Sequence, residues 1–291
     1  MRIRGGGKVR RVRPGGLGSV IVWAVGMVCV GMAASPASAV TVLTNGNSTV
    51  QVDPASQSGM SSWVVDGVEQ LHQQWFWYGV GDSGGQSPIS SLTLTYADAG
   101  GRTLDVLYTD PAGRFRINIF YLLSGGQPGS GASDVAETIQ IDNLTGSSLA
   151  LRFYQYSDFD LAGTAEGDTV VLKNANSVVQ WDHSAHATLT ETVMVPVATH
   201  HELGLFSDTL DKLNDPGVTA VLLDNGGPVG SGNATWTFEW DVTLAPAGLR
   251  SSSFIISKDK NLAPLMPEPL SMLGVVLGVG TLAGYIRRRR A

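Results

Sequence analysis

The sequence is poor in cysteine and, between its ends, in positive charge. Cys29 is the only cysteine, and it lies in an apolar segment that we predict to be removed, so the mature chain forms no disulfide. Of the 19 Lys and Arg, ten lie in the terminal segments, which leaves nine in the middle of the chain against 24 of the 25 Asp and Glu. A middle part with a formal charge of −15 disfavours binding to nucleic acid, which is itself an anion.

Helical patterns are also scarce, as are the motifs of nucleotide- and zinc-dependent enzymes. Between the two terminal segments, only the stretch from about Ser207 to Leu213 has apolar residues at helical spacing, with Ser207 in the N-cap position. No phosphate-binding Walker loop and no His-Glu-x-x-His zinc motif occur. These absences leave β-structure as the expected fold and give no direct indication of a reaction.

The N-terminal segment has the composition of a signal peptide. Six basic residues and no acid precede Leu17, and residues 17–32 are almost entirely apolar. Small residues at Ala37 and Ala39 then fit the narrow pocket of a signal peptidase, which predicts cleavage after Ala39. Residues 1–39 are therefore predicted to be a signal peptide, and the chain is predicted to be exported.

The C-terminal segment combines a proline motif, an apolar run and a basic cluster. The motif is Pro267-Glu268-Pro269, and residues 270–286 after it carry no charge. Seventeen residues rise about 26 Å as a helix, which is near the lower limit for crossing a bilayer. Basic residues behind such a span stop transfer on the cytoplasmic side. The basic residues are Arg287, Arg288, Arg289 and Arg290.

This arrangement resembles the PEP-CTERM sorting signal, and the resemblance covers only the C-terminal tail. In that family the Pro-Glu-Pro residues are the recognition motif for an exosortase, a membrane-embedded enzyme similar to cysteine transpeptidases that removes the helix. The resemblance implies a Gram-negative, polysaccharide-producing or biofilm-forming source. It also implies a precursor anchored in the membrane and facing the periplasm, which then reaches the outer envelope or extracellular matrix. A permanent tail anchor is the alternative interpretation of the segment.

Between the two ends, apolar residues recur at every second position, which is typical of β-strands. The alternation is clearest over 235–244, where Trp236, Phe238 and Trp240 are separated by polar residues. Three further runs show it: 92–96, 104–108 and 114–121.

Short turns rich in Gly, Asp, Asn and Pro join these runs, so the strands are predicted to pair antiparallel. We predict an all-β fold with one antiparallel β-sandwich over residues 40–257. A linker over 258–266 and the sorting tail over 267–291 are predicted to follow, with a transmembrane helix at 270–286.

One candidate site is the aromatic run Trp75-Phe76-Trp77-Tyr78. Strand alternation places Trp75 and Trp77 on the same face, where exposed rings would stack on sugars. Burial of these rings in the core is the alternative, because aromatic side chains mostly supply buried area.

A second candidate site is an acidic stretch that contains Asp158, Asp160 and Asp168. Their carboxylates are the hard oxygen ligands that Ca²⁺ prefers, although the spacing is not that of an EF-hand. A solvated acidic loop without metal is the alternative. We expect no other cofactor.

Four of the five histidines form two groups, His183 with His186 and His200 with His201. A zinc site needs about three convergent ligands, and a strand would send His183 and His186 to opposite faces. The histidines therefore give little support for zinc.

The expected function is inferred from the predicted localisation of the protein rather than from a catalytic motif. We expect a non-catalytic protein of the cell envelope or extracellular matrix that takes part in surface structure, adhesion or association with exopolysaccharide in a biofilm. Its expected partners are signal peptidase, the exosortase, exopolysaccharide and, before processing, the membrane. A secreted hydrolase or lyase acting on polysaccharide is the alternative, with Asp158 and Asp160 as paired carboxylates in one cleft.

Replacing Pro267, Glu268 and Pro269 together with alanine is expected to keep the chain full length and membrane-bound in a host that carries an exosortase. The two prolines hold the backbone at the membrane boundary out of a helix and so keep it accessible to a processing enzyme. Size on denaturing gels and retention in the membrane fraction measure the outcome. If wild type and variant both keep the tail, or lose it equally, the segment is a permanent anchor.

Overall fold

The computed structural model describes residues 40–182, 184 and 187–264. The predicted signal peptide, the Pro267–Pro269 motif, the span at 270–286 and the arginine cluster lie outside these residues, as do His183 and His186. Within the part of the chain that the structure describes, no helix is long and apolar enough to cross a membrane.

The described residues form β-strands joined by short turns, with one α-helix, α1 (Asp208–Leu213), and three short 3-10 turns. In chain order the strands are β1 (Thr41–Asn45), β2 (Ser48–Asp53), β3 (Gly59–Val65), β4 (Val68–Glu69), β5 (Gln73–Val80), β6 (Ser87–Pro88), β7 (Thr93–Ala99), β8 (Thr103–Thr109), β9 (Phe115–Gly125), β10 (Ser133–Asn143), β11 (Leu149–Asp158), β12 (Asp168–Asn174), β13 (Ser177–Asp182), β14 (Ala187–Val195), β15 (His200–Leu205), β16 (Val229–Gly232), β17 (Ala234–Leu244) and β18 (Ser253–Pro264).

These strands build two nine-stranded sheets. Sheet one has the order β1-β2-β3-β5-β11-β17-β15, with β4 added to β3 and β6 added to β5. Sheet two has the order β16-β12-β13-β14-β18-β10-β9-β8-β7. Among the described strands, pairing is antiparallel except between β3 and β5, which run parallel. The prediction of an all-β, mostly antiparallel fold is confirmed, as is the short helix after Ser207.

The two sheets enclose an aromatic and aliphatic core. Phe76 stacks on Phe153 with ring centroids 5.5 Å apart, and Phe159 stacks on Trp236 at 5.3 Å. Sheet two supplies aliphatic side chains such as Ile139, which is fully buried. Burial of this many large apolar side chains is the main source of stability in a domain without disulfides.

The central strands of sheet one are buried on both faces, which differs from the prediction for 235–244. Alternation predicts a strand with one solvated face, yet Thr235, Thr237 and Glu239 are buried together with the intervening aromatic residues. The reason is that α1 and the segment 214–228 cross the outer face of this sheet. Trp77 Nε1, for example, donates a 3.3 Å hydrogen bond to Asn214 Oδ1 just after α1.

Charged side chains from three strands of sheet two meet inside the core. Lys258 of β18 forms ion pairs with Glu137 of β10 and, at 3.5 Å, with Glu191 of β14. Lys260 pairs with Glu137 at 2.7 Å, and all four side chains are fully buried. Burial alone would raise the pKa of Glu137, but the two lysines hold this pKa below its ordinary value. Burial lowers the pKa of Lys258 to about 8.

The same cluster reaches across the core to sheet one. Gln155 Nε2 donates a 2.5 Å hydrogen bond to Glu191 Oε1, and Trp236 Nε1 donates one of 2.8 Å to Glu191 Oε2. Lys258 also donates to Gln155 Oε1 and lies over the Phe76 ring, 4.7 Å from its centroid. Polar contacts therefore connect the sheets at one defined position within an apolar core.

The structure corrects the predicted linker over 258–266. Strand β18 continues to Pro264, and Lys258 and Lys260 point into the core instead of into solvent. The physical reason is that lysines at alternate positions of the strand face Glu137, whereas Ser257, Asp259 and Asn261 lie between them on the other face. The inward-facing positions of this part of β18 hold lysines instead of apolar residues, so the sequence does not show the alternation from which a strand is predicted.

Glu191→Ala is expected to destabilise a fragment of residues 40–264 by about 3–5 kcal/mol. The substitution removes a carboxylate that pairs with Lys258 and accepts a hydrogen bond from Trp236 Nε1 in the core. Urea unfolding followed by circular dichroism measures the change. The matched control is Glu166→Ala at an exposed position, for which we expect a change within about 0.5 kcal/mol. Equal stability of the two variants would contradict the role given to the buried cluster.

Candidate functional site

Strand register places four side chains in one row across the outer face of sheet one. Trp77 of β5 lies opposite Tyr154 of β11, and Tyr154 lies opposite Glu239 of β17. Glu239 in turn lies opposite His200 of β15. Directly opposite residues of antiparallel strands point to the same face with Cβ atoms about 4.5–5.5 Å apart. The row thus brings a carboxyl group and an imidazole together on neighbouring strands.

A second row lies beside the first. Arg152 of β11 is opposite Gly79 of β5 on one side and Asp241 of β17 on the other. A Cβ atom at Gly79 would come within 2.6 Å of the Arg152 guanidinium, so glycine leaves the space that this side chain occupies. The second row therefore adds a cation and a second carboxylate to the same face.

A pocket of about 400 Å³ opens over these two rows. Arg152, His200, Glu239 and Asp241 line it from the sheet. Asp82 and the segment 219–224 line it from the loops above. An adjoining pocket of about 190 Å³ shares Asp82, Arg152 and Asp241, so the two form one groove. A volume of this order is in the range of small-molecule sites.

Two buried polar side chains hold the loop wall of the pocket in place. Gln86 Nε2 donates to the Lys212 carbonyl at 2.6 Å, and Gln86 Oε1 accepts from the Ala220 backbone N–H at 3.0 Å. Glu202 of β15 accepts from Lys212 Nζ at 2.6 Å and from the Leu223 backbone N–H at 3.0 Å. The wall is attached to sheet one on both sides of the pocket.

Glu239 and His200 have pKa values displaced toward neutrality or above. Burial, reinforced by nearby Asp241, raises the pKa of Glu239 to about 7. A 2.8 Å hydrogen bond between Asp224 Oδ2 and Nδ1 of His200 raises the pKa of that imidazole. A carboxyl group that titrates near pH 7 beside an imidazole is an arrangement suited to proton transfer.

The guanidinium of Arg152 is incompletely satisfied. Its Nη2 donates a 2.9 Å hydrogen bond to the Gly84 carbonyl, while Nε and Nη1 are buried without a hydrogen-bond partner. Arg152 is buried, with 6% of its surface exposed. Within the described residues it forms no ion pair shorter than 4.0 Å. Unpaired donors of a buried cation are costly, so these two groups can donate hydrogen bonds to a molecule that enters the pocket.

The predicted sugar-stacking residues are not at the surface. Trp75 and Trp77 occupy alternate positions of β5, and both side chains are completely buried, with the Trp75 ring edge to face on Tyr108 of sheet two. Trp77 packs edge to face on Tyr156 beneath the segment after α1. The burial of Trp75 and Trp77 agrees with the core interpretation, and neither ring is exposed for stacking on a sugar.

Two of the three acidic residues proposed for calcium are buried, whereas Asp160 lies in the connection between β11 and β12 with its side chain 19% exposed. Asp158 ends β11, Asp168 begins β12, and both are fully buried. Burial raises the pKa of Asp158 to about 6 and that of Asp168 to about 8, and it also raises the pKa of Asp160.

Among residues 40–182, 184 and 187–264, no group of three or more His, Cys, Asp or Glu could hold a metal ion. Neither pocket of the groove is lined by Asp158 or Asp160. The carboxylates in the groove are Asp82, Asp224, Glu239 and Asp241 instead.

The glycine-rich stretch Gly79–Gly85 borders the pocket and has the spacing of two known motifs, Gly-x-Gly-x-x-Gly and Gly-x-Ser-x-Gly. Both motifs require a strand followed by a helix. Here the stretch leads from β5 into a loop and then into β6, and Ser83 makes no hydrogen bond to His200. The structure therefore supports neither a dinucleotide site nor a serine nucleophile at this position.

The residues of the pocket could not be predicted from the sequence, because they come together only through pairing of strands that are distant in the chain. Glu239 and Asp241 read as the polar positions of a half-buried strand, and Arg152 reads as an isolated charge. His200 belongs to a histidine pair whose sequence suggests zinc or acid–base chemistry but does not identify Asp224 and Glu239 as its neighbours. Pairing of β11, β17 and β15, which lie up to 90 residues apart in the sequence, brings these side chains together.

No protein-family model matches the chain, and no curated protein sequence matches it significantly. Solved structures with a similar fold do exist. A bacterial glucoamylase complexed with acarbose matches 78% of this chain and 32% of its own, with a TM-score of 0.55 and 10% identity. The chain therefore spans about a third of that enzyme.

Two further structures match over nearly their whole length. A putative aldose 1-epimerase from Escherichia coli K12 matches 78% of this chain and 99% of its own, with a TM-score of 0.51 and 8% identity. A galactose mutarotase related enzyme from Lactobacillus acidophilus matches 79% of this chain and 99% of its own, with the same TM-score and identity. At such low identity the likeness shows a shared β-sandwich fold.

Glu239→Gln is expected to become more stable relative to wild type as the pH rises from about 4.5 to 7. Glutamine mimics the neutral carboxyl group, and the folded wild type must ionise a buried group above a pKa of about 7, whereas the unfolded chain ionises near 4.5. The difference in unfolding free energy between variant and wild type, measured in urea at pH 4, 5.5, 7 and 8.5, tests this. A pH-independent difference would show that Glu239 titrates normally.

Proposed function

We propose that the domain is a carbohydrate-acting enzyme that binds a saccharide in the groove on sheet one and transfers protons to or from it. This is closer to the polysaccharide-acting alternative than to a non-catalytic matrix role. We also propose that the chain is exported and sorted through its C-terminal tail, which would bring the domain to envelope or extracellular polysaccharide.

The row of Tyr154, Glu239 and His200 carries this proposal. Reactions at a sugar require a proton to leave one oxygen and another to reach a second oxygen, and two groups with displaced pKa values in one pocket can act as base and acid. Glu239 would accept the proton in its ionised form. His200, kept protonated by Asp224, would supply the other.

The remaining residues have binding roles in this proposal. The free donors of Arg152 would bind sugar or ring oxygens, because hydroxyl and ether oxygens are acceptors. The wall at 219–224 would shield the reacting groups from water. The likeness in fold to a glucoamylase and to two epimerase-type proteins supports the choice of a saccharide as the ligand class.

The test is an assay of the full-length protein with mono- and oligosaccharides, followed by polarimetry for anomeric change and by release of reducing ends for bond cleavage. Glu239→Gln and His200→Asn are each expected to lower the rate about 100-fold or more, since a positioned acid or base contributes about 10²–10⁴-fold. Far-UV circular dichroism verifies that both variants keep the fold.

The matched control is Glu166→Gln, which makes the same substitution at an exposed position outside the groove. We expect it to leave the rate unchanged. Saccharide binding without turnover in the wild type would overturn the enzymatic part and favour a binding protein. Absence of any saccharide binding would overturn the proposal as a whole.

A further inference from the structure

We infer that the groove selects saccharides that carry a positive charge, namely amino sugars, over neutral sugars and over uronates. This inference rests on the proposed function, because it names the substrate class of the same groove. The observation behind it is the distribution of charge around the pocket, in which carboxylates form the entrance and cations lie below or are already paired.

Three aspartates stand at the entrance of the groove. Asp82 is exposed on the loop after β5. The side chains of Asp224 and Asp241 are 46% and 45% exposed on opposite sides of His200. These three carboxylates are far more exposed than Glu239, which is 4% exposed, so a ligand meets them before it reaches that side chain.

The two cations of the groove do not offset this charge for an incoming ligand. Arg152 is buried at the base of the pocket, next to Asp241 in strand register. His200 is held between Asp224 at 2.8 Å and Asp241 at 3.8 Å. With Glu239 protonated, three carboxylates still face two cations, and ionisation of Glu239 adds a fourth.

Among the described residues, no Lys and no Arg other than Arg152 lines the groove, and the ring of His201 lies 3.7 Å from Asp224 Oδ1. Lys212 on α1 does not line the groove, and its Nζ is engaged by both carboxylate oxygens of Glu202 at 2.6 and 2.7 Å. The middle part of the chain has nine Lys and Arg against 24 Asp and Glu, so its net charge is negative, like the charge at the entrance of the groove. The carboxylates at the entrance would repel a uronate, whereas they would attract an ammonium group.

The expected size of the preference follows from exposed charge pairs, each of which changes affinity about 1.5- to 5-fold. Two or three carboxylates acting together predict about a tenfold preference for an amino sugar over its neutral counterpart. The preference should shrink when salt screens the exposed charges.

The test measures binding of the full-length protein to β-1,4-linked tetrasaccharides of glucosamine, glucose and glucuronic acid. Affinities are measured by isothermal titration calorimetry at pH 6, where the amine is protonated. Measurements at 20 and 200 mM salt show how far salt screens the attraction between the amine and the carboxylates. We expect the glucosamine tetramer to bind about ten times more tightly than the glucose tetramer, and the glucuronate tetramer to bind more weakly than either.

Asp82→Asn supplies the residue-level test. We expect it to reduce the ratio of glucosamine to glucose affinity about 1.5- to 5-fold, because it removes one carboxylate from the entrance. The matched control is Asp98→Asn, which removes the same charge from edge strand β7 of sheet two and should leave the ratio unchanged.

The outcomes separate this inference from the function on which it rests. Equal affinity for the glucosamine and glucose tetramers, a preference for glucuronate, or an unchanged ratio in Asp82→Asn would overturn the inferred selectivity while leaving saccharide binding intact. Failure of all three tetrasaccharides, and of the neutral monosaccharides used in the activity assay, to bind would overturn the proposed function itself.

Discussion

The buried ion cluster around Lys258 sets the relation between the two sheets. Apolar contacts between sheets are permissive, since side chains of similar volume can slide or repack at small cost. A buried lysine has no such freedom, because moving it away from Glu137, Glu191 and Gln155 would leave charges unpaired in a medium that solvates them poorly. The cluster thus favours one alignment of β18 and β14 with β11 and β17.

That alignment determines which side of sheet one is available for chemistry. The inner face of β11 and β17 is committed to the core through Phe153, Gln155 and Trp236. The outer face of the same strands, covered only in part by α1 and the segment 214–228, retains the groove with Glu239 and Arg152. Residues that alternate along a single strand therefore divide between the core and the groove for which we propose ligand binding.

The fold class could be predicted from the sequence because it depends on local signals. Alternation identified β17, β9 and β8, and the spacing after Ser207 identified α1. The end of β18 could not be predicted, because Lys258 and Lys260 read as solvated charges until Glu137 is placed opposite them. The meaning of a charge in a strand depends on its neighbours, which local patterns do not contain.

The candidate site was harder to predict for the same reason. Trp75 and Trp77 were the most conspicuous residues for sugar binding, yet conspicuous aromatic residues are also what a large core needs. His200, Glu239 and Arg152 form a pocket only through pairings between distant strands. Local sequence patterns identify such residues one by one and do not show which of them meet.

The row across sheet one has a consequence for how this protein can change over time. Glu239 and His200 belong to strands whose alternate residues fill the core, so the loss or gain of a single residue in β17 would exchange the groove side chains for Phe238 and Trp240. Insertions in these strands are therefore excluded, whereas point substitutions at groove positions leave the core untouched. The loops at 81–85 and 214–228 are not part of these strands, so a change in their length does not shift the strand register. If the proposed function holds, new specificities would arise by altering the length and charge of these loops, while the row of Glu239 and His200 beneath them is retained.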